Sequence, residues 1–363
     1  MNRPVAVVGA GSLGLGTAWH LASLGHPVTI FDPCLTQRVS RTRSSTELNG
    51  TTASLGVLMG HVFRRSSGRG WRLRKRSMEL WPLWINRLQR FVPELALQTP
   101  LLQVAPDEAT GIRLQRSGLS TPPARAEEPL PLLELDAIWP GAEHGGLRSE
   151  QDGRVDPLKL QQSLRRALEE HQVTQVAEPV DALERHRSGW RVVRTGGQRD
   201  DFAAVVICAA LASSALLAPL GHDRPMTPVL GQALRLELKE APINWQQWPA
   251  VLVDQGVNLI PDGPNQLLLG ATVEPGSEAA EDPLALMRSL HGEAPDWLKS
   301  ATVVEHWSGL RARPVERPAP LLEQLEPGLL LASGHYRNGV LLLPASAEWI
   351  AAELNHNLPI TGA

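Results

Sequence analysis

The sequence predicts a mixed fold that joins an α/β unit with a parallel sheet to an α+β unit with an antiparallel sheet. Three stretches predict it: residues 4–31 read strand, turn, helix and strand, residues 229–311 are rich in strands separated by turns, and residues 328–354 read strand, glycine turn and helix. A strand, helix and strand at the start of a chain are typical of a doubly wound sheet. We therefore expect a discontinuous Rossmann-like domain that carries an inserted antiparallel-sheet domain.

The opening unit is predicted from apolar runs and glycine. Residues 4–8 and 27–31 are short apolar runs typical of strands. Residues 12–24 have the length and apolar content of a helix, which Gly25 ends.

The next part of the chain mixes loop and helix signals. Residues 38–76 are rich in Ser, Thr, Gly and Arg with little apolar periodicity, and residues 78–85 look partly helical. Residues 101–105 predict a strand, whereas the Pro-, Ala- and Glu-rich residues 117–131 predict a surface excursion.

A helix is predicted from residue 156 onwards, because Asp156 is a good N-cap, Pro157 suits the first helical position and leucines recur on one face. Further strands are predicted at residues 173–176, 190–194, 203–208, 229–238, 251–260, 266–272, 301–311 and 328–332. A helix over about residues 345–354 closes the chain.

These elements predict two domains built from five segments. At about 150 residues per domain, 363 residues suggest two domains. We assign residues 1–85, 151–226 and 326–363 to the Rossmann-like domain, and residues 86–150 and 227–325 to the inserted antiparallel-sheet domain.

Charge and cysteine content narrow the class of protein. The 35 basic and 38 acidic side chains leave a net charge of −3, which provides no general attraction to nucleic acid. Cys34 and Cys208 lie far apart without companion ligands, so they predict neither a disulfide framework nor a metal site. No run approaches the roughly 18 apolar residues of a membrane span. We expect a soluble, cytoplasmic protein with no metal and no membrane insertion.

One local run of positive charge stands out in this nearly neutral chain. It consists of Arg64, Arg65, Arg69, Arg72, Arg74, Lys75 and Arg76. With Trp71 as a stacking residue it could bind nucleic acid or an acidic partner. We favour a solvated loop and helix edge, because no other basic patch joins it.

A dinucleotide-binding motif follows the first strand. Gly9, Gly11 and Gly14 fit G-x-G-x-x-G at the start of a helix, and Asp32 ends the second strand. The glycines permit a tight turn and close approach of a pyrophosphate to the helix N-terminus, and Asp32 suits a ribose hydroxyl. Asp32 disfavours the 2′-phosphate of NADP, but the motif alone does not separate FAD from NAD.

The C-terminal region adds two distinctive segments. Residues 306–314 read His-Trp-Ser-Gly-Leu-Arg-Ala-Arg-Pro, and residues 333–344 contain Gly-His-Tyr-Arg-Asn-Gly. Together with the first motif and residues 51–58, 153–157 and 228–232, they resemble the D-amino acid oxidase superfamily of FAD enzymes. Within it, the chain is most similar to the glycine oxidase branch linked to thiamine biosynthesis. The resemblance covers most of the chain in order.

The resemblance implies FAD as the cofactor. By this resemblance the backbone of residues 335–341 would lie along the flavin ring, and the following helix would point its N-terminus at the electron-rich edge of the flavin. The family's FAD-contacting positions are matched by Gly9, Gly11, Ser12, Leu13, Gly14, Asp32, Pro33, Gly50, Thr51, Leu55, Gly56, Val57, Val180, Gly334, His335, Tyr336, Arg337, Asn338, Gly339, Val340 and Leu341.

The resemblance also implies a substrate site. Arg311 would hold a substrate carboxylate in a bidentate fork, and Arg337 would lie beside the substrate. Tyr336 is the only tyrosine of the chain and falls in the flavin-facing loop, where the family carries Phe or Tyr. Arg313 is the alternative to Arg311 if the register is shifted, and a surface ion pair is the alternative role for Arg311.

The implied reaction is hydride transfer from the α-carbon of glycine, sarcosine or a D-amino acid to the flavin. Water would hydrolyse the resulting imine to a keto acid and ammonia, and oxygen would accept the electrons to form hydrogen peroxide. Orientation over the flavin is the main requirement, so no protein acid or base is needed. A quinone-reducing dehydrogenase, a flavin-binding protein without turnover and an NAD-dependent dehydrogenase stay open. Members of the family often form homo-oligomers. The oligomeric state of this chain stays open.

Two departures from the family pattern concern the site directly. Asn258 stands where glycine oxidases have a tyrosine that helps to bind the carboxylate, which puts the substrate in doubt. Ala210 stands where glycine is expected, so that its β-carbon could crowd the cofactor. In addition, Asp32 stands where Glu is commoner in FAD enzymes.

Overall fold

The structure is a computed structural model. It describes residues 4–41, 50–62, 67–119, 139, 142, 144–187, 189–242 and 245–356. The predicted surface excursion falls mostly outside the described residues.

Eight α-helices lie within the described residues. They are α1 Ser12–Ser23, α2 Gly68–Leu88, α3 Glu108–Leu119, α4 Pro157–Glu170, α5 Ser213–Leu217, α6 Glu281–Arg288, α7 Asp296–Lys299 and α8 Leu343–His356.

The same part of the chain contains twenty strands. They are β1 Val5–Val8, β2 Val28–Phe31, β3 Val57–Leu58, β4 Leu97–Gln98, β5 Leu101–Val104, β6 Gly146–Ser149, β7 Gly153–Val155, β8 Thr174–Val176, β9 Val180–His186, β10 Gly189–Arg194, β11 Arg199–Phe202, β12 Ala204–Ile207, β13 Met226–Glu237, β14 Val251–Asp254, β15 Val257–Pro261, β16 Gln266–Gly270, β17 Glu274–Pro275, β18 Thr302–Pro314, β19 Leu321–Glu326 and β20 Leu329–Ser333.

A six-stranded sheet in the order β19-β20-β12-β1-β2-β8 forms the Rossmann-like part. All of its pairs are parallel except β19 with β20. Strands β1, β12 and β20 are buried along their whole length, as expected for a sheet covered on both faces. Helices α1, α2, α4 and α8 contribute to the core cluster on one face.

A second, eight-stranded sheet runs β17-β13-β16-β15-β14-β5-β6, with β18 paired to β13. Its pairs are antiparallel except β14 with β5. Two smaller sheets, β11-β10-β9 and β3-β7-β4, complete the fold. The expected combination of an α/β and an α+β unit is confirmed. The five-segment domain division stays a prediction.

Local sequence signals placed several elements correctly. Helix α1 starts at Ser12 as predicted, and Gly25 follows its end with a φ of +88°. Asp156 caps α4 through its Oδ1, which accepts hydrogen bonds from the amides of Leu158 and Lys159 at 2.9 and 3.2 Å.

Two predictions of local structure were wrong. Helix α2 begins at Gly68, inside the stretch expected to be loop. The prediction failed because the buried face of this helix includes the polar residues Arg74 and Ser77, so the sequence lacks the apolar periodicity that indicates a helix. The run 251–260 is not one strand but two, since a turn with left-handed φ at Gln255 and Gly256 separates β14 from β15.

Candidate active site

The turn between β1 and α1 requires its glycines. Gly9 has a φ of +105°, and a β-carbon there would lie 2.6 Å from the carbonyl oxygen of Cys208. A β-carbon at Gly14 would lie 1.8 Å from the carbonyl oxygen of Gly9. Helix α1 then begins with Ser12 and Leu13, with no acidic residue in its first turn, so its positive N-terminal end is available to an anion.

Asp32 closes this turn from the end of β2. Its Oδ2 accepts a hydrogen bond from the amide of Ala10 at 2.7 Å, and its Oδ1 accepts one from the amide of Cys34 at 2.7 Å. A carboxylate has about four acceptor sites, so capacity is left for ribose hydroxyls. Pro33 follows directly and is exposed.

Gly50 and Thr51 join this turn to the antiparallel sheet. Thr51 Oγ1 accepts a hydrogen bond from the amide of Ser12 at 3.0 Å. A β-carbon at Gly50 would lie 2.6 Å from the carbonyl oxygen of Leu310 in β18. The predicted cofactor residues therefore lie against the strand that carries Arg311.

Residues 55–57 line the same junction. Gly56 has a φ of +72°, and its carbonyl oxygen accepts a hydrogen bond from the amide of Val155 at 3.0 Å. Leu55 is buried, and its Cδ1 lies 3.0 Å from where a β-carbon at Gly270 would be. Val57 begins the short strand β3 and is half-buried.

The residue that anchors this segment matches no sequence motif. Asp152 is fully buried, and its carboxylate accepts hydrogen bonds from the amides of Gly60, His61 and Val62 at 2.8 to 3.1 Å. The ring of His61 also contacts it, at 3.1 Å. Because all these partners are about 90 residues away in the chain, no local pattern could have revealed them.

Arg311 lies on the antiparallel sheet, where its guanidinium is held by carbonyl oxygens and the charge of Glu274 acts on it without an ion pair among the described residues. Its Nη1 donates to the carbonyl oxygens of Leu230 and Thr272, both at 3.0 Å. Among the described residues, no carboxylate forms an ion pair with it, and its Nε and Nη2 groups make no hydrogen bond to protein. Burial, and then the nearby charge of Arg337, lower its pKa from 12.5. The guanidinium remains a cation, and its Nε and Nη2 groups can donate hydrogen bonds to a ligand.

The turn after β20 brings the remaining predicted residues to this place. Gly334 and Tyr336 have left-handed φ values of +64° and +54°. The amide of Asn338 donates to the carbonyl oxygen of His335 at 3.0 Å. Gly339, Val340 and Leu341 then lead into α8, where Val340 and Leu341 are buried.

His335 is a buried, neutral residue of this turn. Its Nε2 lies 2.9 Å from the hydroxyl of Ser346 in α8. Burial, and then the charge of Arg69, lower its pKa to about 4. The side chain ties the turn to the helix and carries no charge at neutral pH.

Tyr336 and its neighbours form the edge of the site. The guanidinium of Arg313 lies over its ring, 5.7 Å from the centroid. Arg337 is exposed, and its positive charge contributes to lowering the pKa of Arg311. The predicted substrate residues Arg311, Arg337 and Tyr336 are therefore neighbours in space, and Arg313 contacts the aromatic ring.

The two departures from the family pattern have distinct surroundings. Asn258 is half-buried, and its Nδ2 donates to the carbonyl oxygen of Gly270 at 2.9 Å, next to Leu55. Ala210 is exposed with a left-handed φ of +48°, and its carbonyl oxygen accepts a hydrogen bond from Ser333 Oγ at 3.2 Å. Both lie beside predicted cofactor residues.

Val180 and the basic run are the remaining predicted features, and the charge of Arg69 in this run reaches His335 of the turn. Val180 begins β9 in a small antiparallel sheet. In the run, Arg69 donates to the carbonyl oxygen of Leu322 and Arg76 pairs with Glu348, so part of its charge is used within the protein. Arg64 and Arg65 fall outside the described residues.

The described residues fit FAD. The tight glycine turn, the positive N-terminal end of α1 and Asp32 suit an adenosine ribose and a pyrophosphate, and the turn at residues 334–341 lies at the same carboxyl edge of the sheet. No cluster of metal-ligating side chains and no helix long and apolar enough to cross a membrane occur in the part of the chain that the structure describes.

Comparison with known proteins agrees with this geometry. The model of the DAO family, described as FAD dependent oxidoreductase, matches residues 4–353. A glycine oxidase of Pseudomonas aeruginosa is 28% identical over 99% of this chain and 97% of its own length. The bifunctional protein ThiO/ThiG of a Nostoc species is 28% identical over 97% of this chain and 52% of its own length. The crystal structure of glycine oxidase from Geobacillus kaustophilus superposes with a TM-score of 0.81 at 24% identity, covering 99% and 96% of the two chains.

Proposed function

Because this chain belongs to the DAO family of FAD-dependent oxidoreductases, we propose that it oxidises glycine or another small amino acid at the carbon bearing the amine. Its glycine oxidase and ThiO/ThiG relatives support FAD-dependent amino acid oxidation linked to thiamine biosynthesis. The prediction of FAD rather than NAD is confirmed by the family.

The observation that carries the proposal is the guanidinium of Arg311, which forms no ion pair within the part of the chain that the structure describes. A half-buried cation that no carboxylate pairs with directly is stabilised by an anionic ligand. Its Nη1 is already held by two carbonyl oxygens, while Nη2 and Nε are free among the described residues. These two donors suit the two oxygens of a substrate carboxylate in a bidentate pair.

The chain orients the substrate and leaves the redox chemistry to the cofactor. When bound, FAD accepts the two electrons that leave the α-carbon with its hydrogen. The product imine takes up water to give a keto acid and ammonia, and with oxygen as the final acceptor the third product is hydrogen peroxide. Arg311 fixes the carboxylate, so that the α-carbon presents a defined face.

Other residues refine this placement. Arg337 adds positive charge at the exposed edge of the site, and Tyr336 contributes an aromatic wall. Asn258 offers an amide oxygen where its relatives use a tyrosine, since its Nδ2 is held by Gly270. His335, with its pKa lowered to about 4, holds the turn and carries no proton to or from the substrate.

The residues that we assign to FAD follow from the same junction. Gly9 through Gly14 would receive the pyrophosphate at the end of α1, and Asp32 would bind the ribose. Gly50, Thr51 and residues 55–57 would lie along the middle of the cofactor, and residues 334–341 along the flavin. Val180 remains assigned to the adenine side by the family resemblance alone.

An anaerobic screen of the purified holoenzyme tests the function. Glycine, sarcosine, and D- and L-amino acids are each mixed with the yellow protein, and loss of the oxidised flavin absorbance is recorded. We expect glycine or a close analogue to bleach the flavin. Yellow protein that none of these amino acids reduces would contradict the proposal and favour a flavin-binding protein without turnover.

The electron acceptor is tested in a second step. We propose oxygen, so peroxide should accumulate in air in proportion to the amino acid consumed. Flavin that is reduced by the substrate and reoxidised by a soluble quinone, with no peroxide formed in air, would instead identify a dehydrogenase.

A further inference from the structure

The guanidinium of Arg311 lies in a space that only a glycine can leave open. Gly231 belongs to β13, which pairs with β18 so that Val229 is opposite Arg311. Residues 229 and 231 face the same side of the sheet. A β-carbon at Gly231 would lie 2.2 Å from Nη2, 2.4 Å from Nη1 and 2.5 Å from Cζ of Arg311. The side chain therefore rests directly on the backbone of the neighbouring strand.

The carbonyl groups on either side of this space hold the guanidinium. Leu230 precedes Gly231, and its oxygen and that of Thr272 both accept from Nη1 at 3.0 Å. Thr272 is itself fixed, because its Oγ1 accepts from the amide of Gln232 at 2.8 Å and contacts the buried carboxylate of Glu274. Glu274 also accepts from Gln232 Nε2 at 2.9 Å and from the amide of Ala280 at 2.8 Å.

We propose that Gly231 is a positioning residue for the substrate carboxylate: it sets the place of the Arg311 guanidinium by leaving open the space in which the guanidinium lies. This inference rests on the proposed function, in which Arg311 binds that carboxylate. Gly231 contacts no substrate itself. Its effect on binding is transmitted entirely through Arg311.

Alanine at this position should disturb the arginine and not the fold. The φ of Gly231 lies outside the left-handed region, so an L residue can adopt its backbone conformation. The three nearest atoms to the added β-carbon all belong to the far end of the flexible Arg311 side chain. The guanidinium must move off the strand, which breaks the alignment of its free donors.

The test measures binding of acetate, a carboxylate that cannot be oxidised, to the FAD-loaded protein by the change in flavin absorbance. In Gly231→Ala we expect acetate to bind about 10- to 100-fold more weakly, corresponding to the loss of one charge-assisted hydrogen bond. FAD content and melting temperature should match the wild type. Gly70→Ala is the matched control, because its β-carbon would meet Arg74 only at an ordinary 3.7 Å.

A double-mutant cycle separates the positioning role from a structural one. With Arg311 already replaced by alanine, Gly231→Ala should have no further effect on acetate binding or on the rate of flavin reduction by glycine. An unchanged acetate affinity in Gly231→Ala, or an equal loss in both backgrounds, would overturn the inference. If Arg311→Ala itself leaves acetate binding unchanged, the carboxylate role of Arg311 fails instead.

Discussion

The two halves of the site are built in different ways. On the cofactor side, Gly9, Gly14 and Asp32 come from one stretch of the chain. Gly9 has a left-handed φ, Gly14 lies against the carbonyl oxygen of Gly9, and Asp32 accepts a hydrogen bond from the amide of Ala10. On the substrate side, Arg311 depends on Gly231 of β13 and on Thr272, which lies between β16 and β17. The cofactor half can therefore be recognised from a sequence motif, whereas the residues of the substrate half come together only when the sheet forms.

Substitutions on the two sides of the site should therefore have different effects on the protein. A change at the β1–α1 turn should cost both stability and FAD, because backbone atoms must move. A change at Arg311 should leave the folded, yellow protein intact and remove only substrate binding.

The largest effect is expected for Arg311→Ala. Loss of two charge-assisted hydrogen bonds, at about 1.5–3 kcal/mol each, should lower kcat/KM for glycine by about 10²- to 10⁴-fold. FAD content should stay at the wild-type level. Arg313→Ala is the matched control two residues away, and an equal loss in that variant would mean that the register assigned to Arg311 is wrong.

Gly14→Ala should break the cofactor side. The added β-carbon would lie 1.8 Å from the carbonyl oxygen of Gly9, a backbone atom that cannot move without opening the turn. We expect a loss of about 3 kcal/mol in the free energy of unfolding, together with loss of bound FAD. Urea unfolding and the flavin absorbance of the purified protein measure the two effects. A stable variant that retains FAD would show that this turn is not the cofactor site.

His335 should make the free energy of unfolding depend on pH in the acidic range. Its pKa is lowered from 6.5 to about 4, so protons bind the unfolded chain more tightly than the folded one. The stabilisation is complete above about pH 6.5 and is lost as the pH falls through 4, by at most about 3 kcal/mol.

The variant His335→Gln isolates this contribution. Glutamine can keep a hydrogen bond to Ser346 but does not titrate, so its unfolding free energy should fall less than that of the wild type between pH 6.5 and 4. Parallel stability curves for the two proteins would refute a buried neutral histidine.

Ala210→Gly should produce the smallest change, and in the opposite direction. The left-handed φ of +48° disfavours a β-carbon by about 1 kcal/mol, which glycine relieves. We expect a small rise in melting temperature and an unchanged or tighter FAD dissociation constant. Weaker FAD binding in the glycine variant would show that Ala210 does not crowd the cofactor.

The parts of the fold predicted from sequence are those that depend on neighbouring residues. The cap at Asp156, the glycine turn at Gly9 and the end of α1 were each predicted from short patterns, and the structure confirms them. The predicted start of helix α2 lies C-terminal to the observed one, because burial of Arg74 depends on what packs against the helix and not on the helix itself.

The candidate site shows the same limit. Arg311 and the turn at residues 334–341 were identified through a family resemblance, since nothing local distinguishes one strand arginine from another. Asp152, Gly231 and Glu274 had no signal as site residues. Their partners are set by strand register and by contacts between distant segments, which no single stretch of sequence encodes.

Anaerobic reduction of the bound flavin by glycine, compared among the wild type, Arg311→Ala and Arg313→Ala, tests the central claim most directly. We predict full bleaching of the wild type and of Arg313→Ala at saturating glycine. Arg311→Ala should retain its FAD but require at least about 100-fold more glycine for the same rate. Equal reduction of all three proteins, or reduction of none, would contradict the claim that Arg311 binds an amino acid carboxylate beside the flavin.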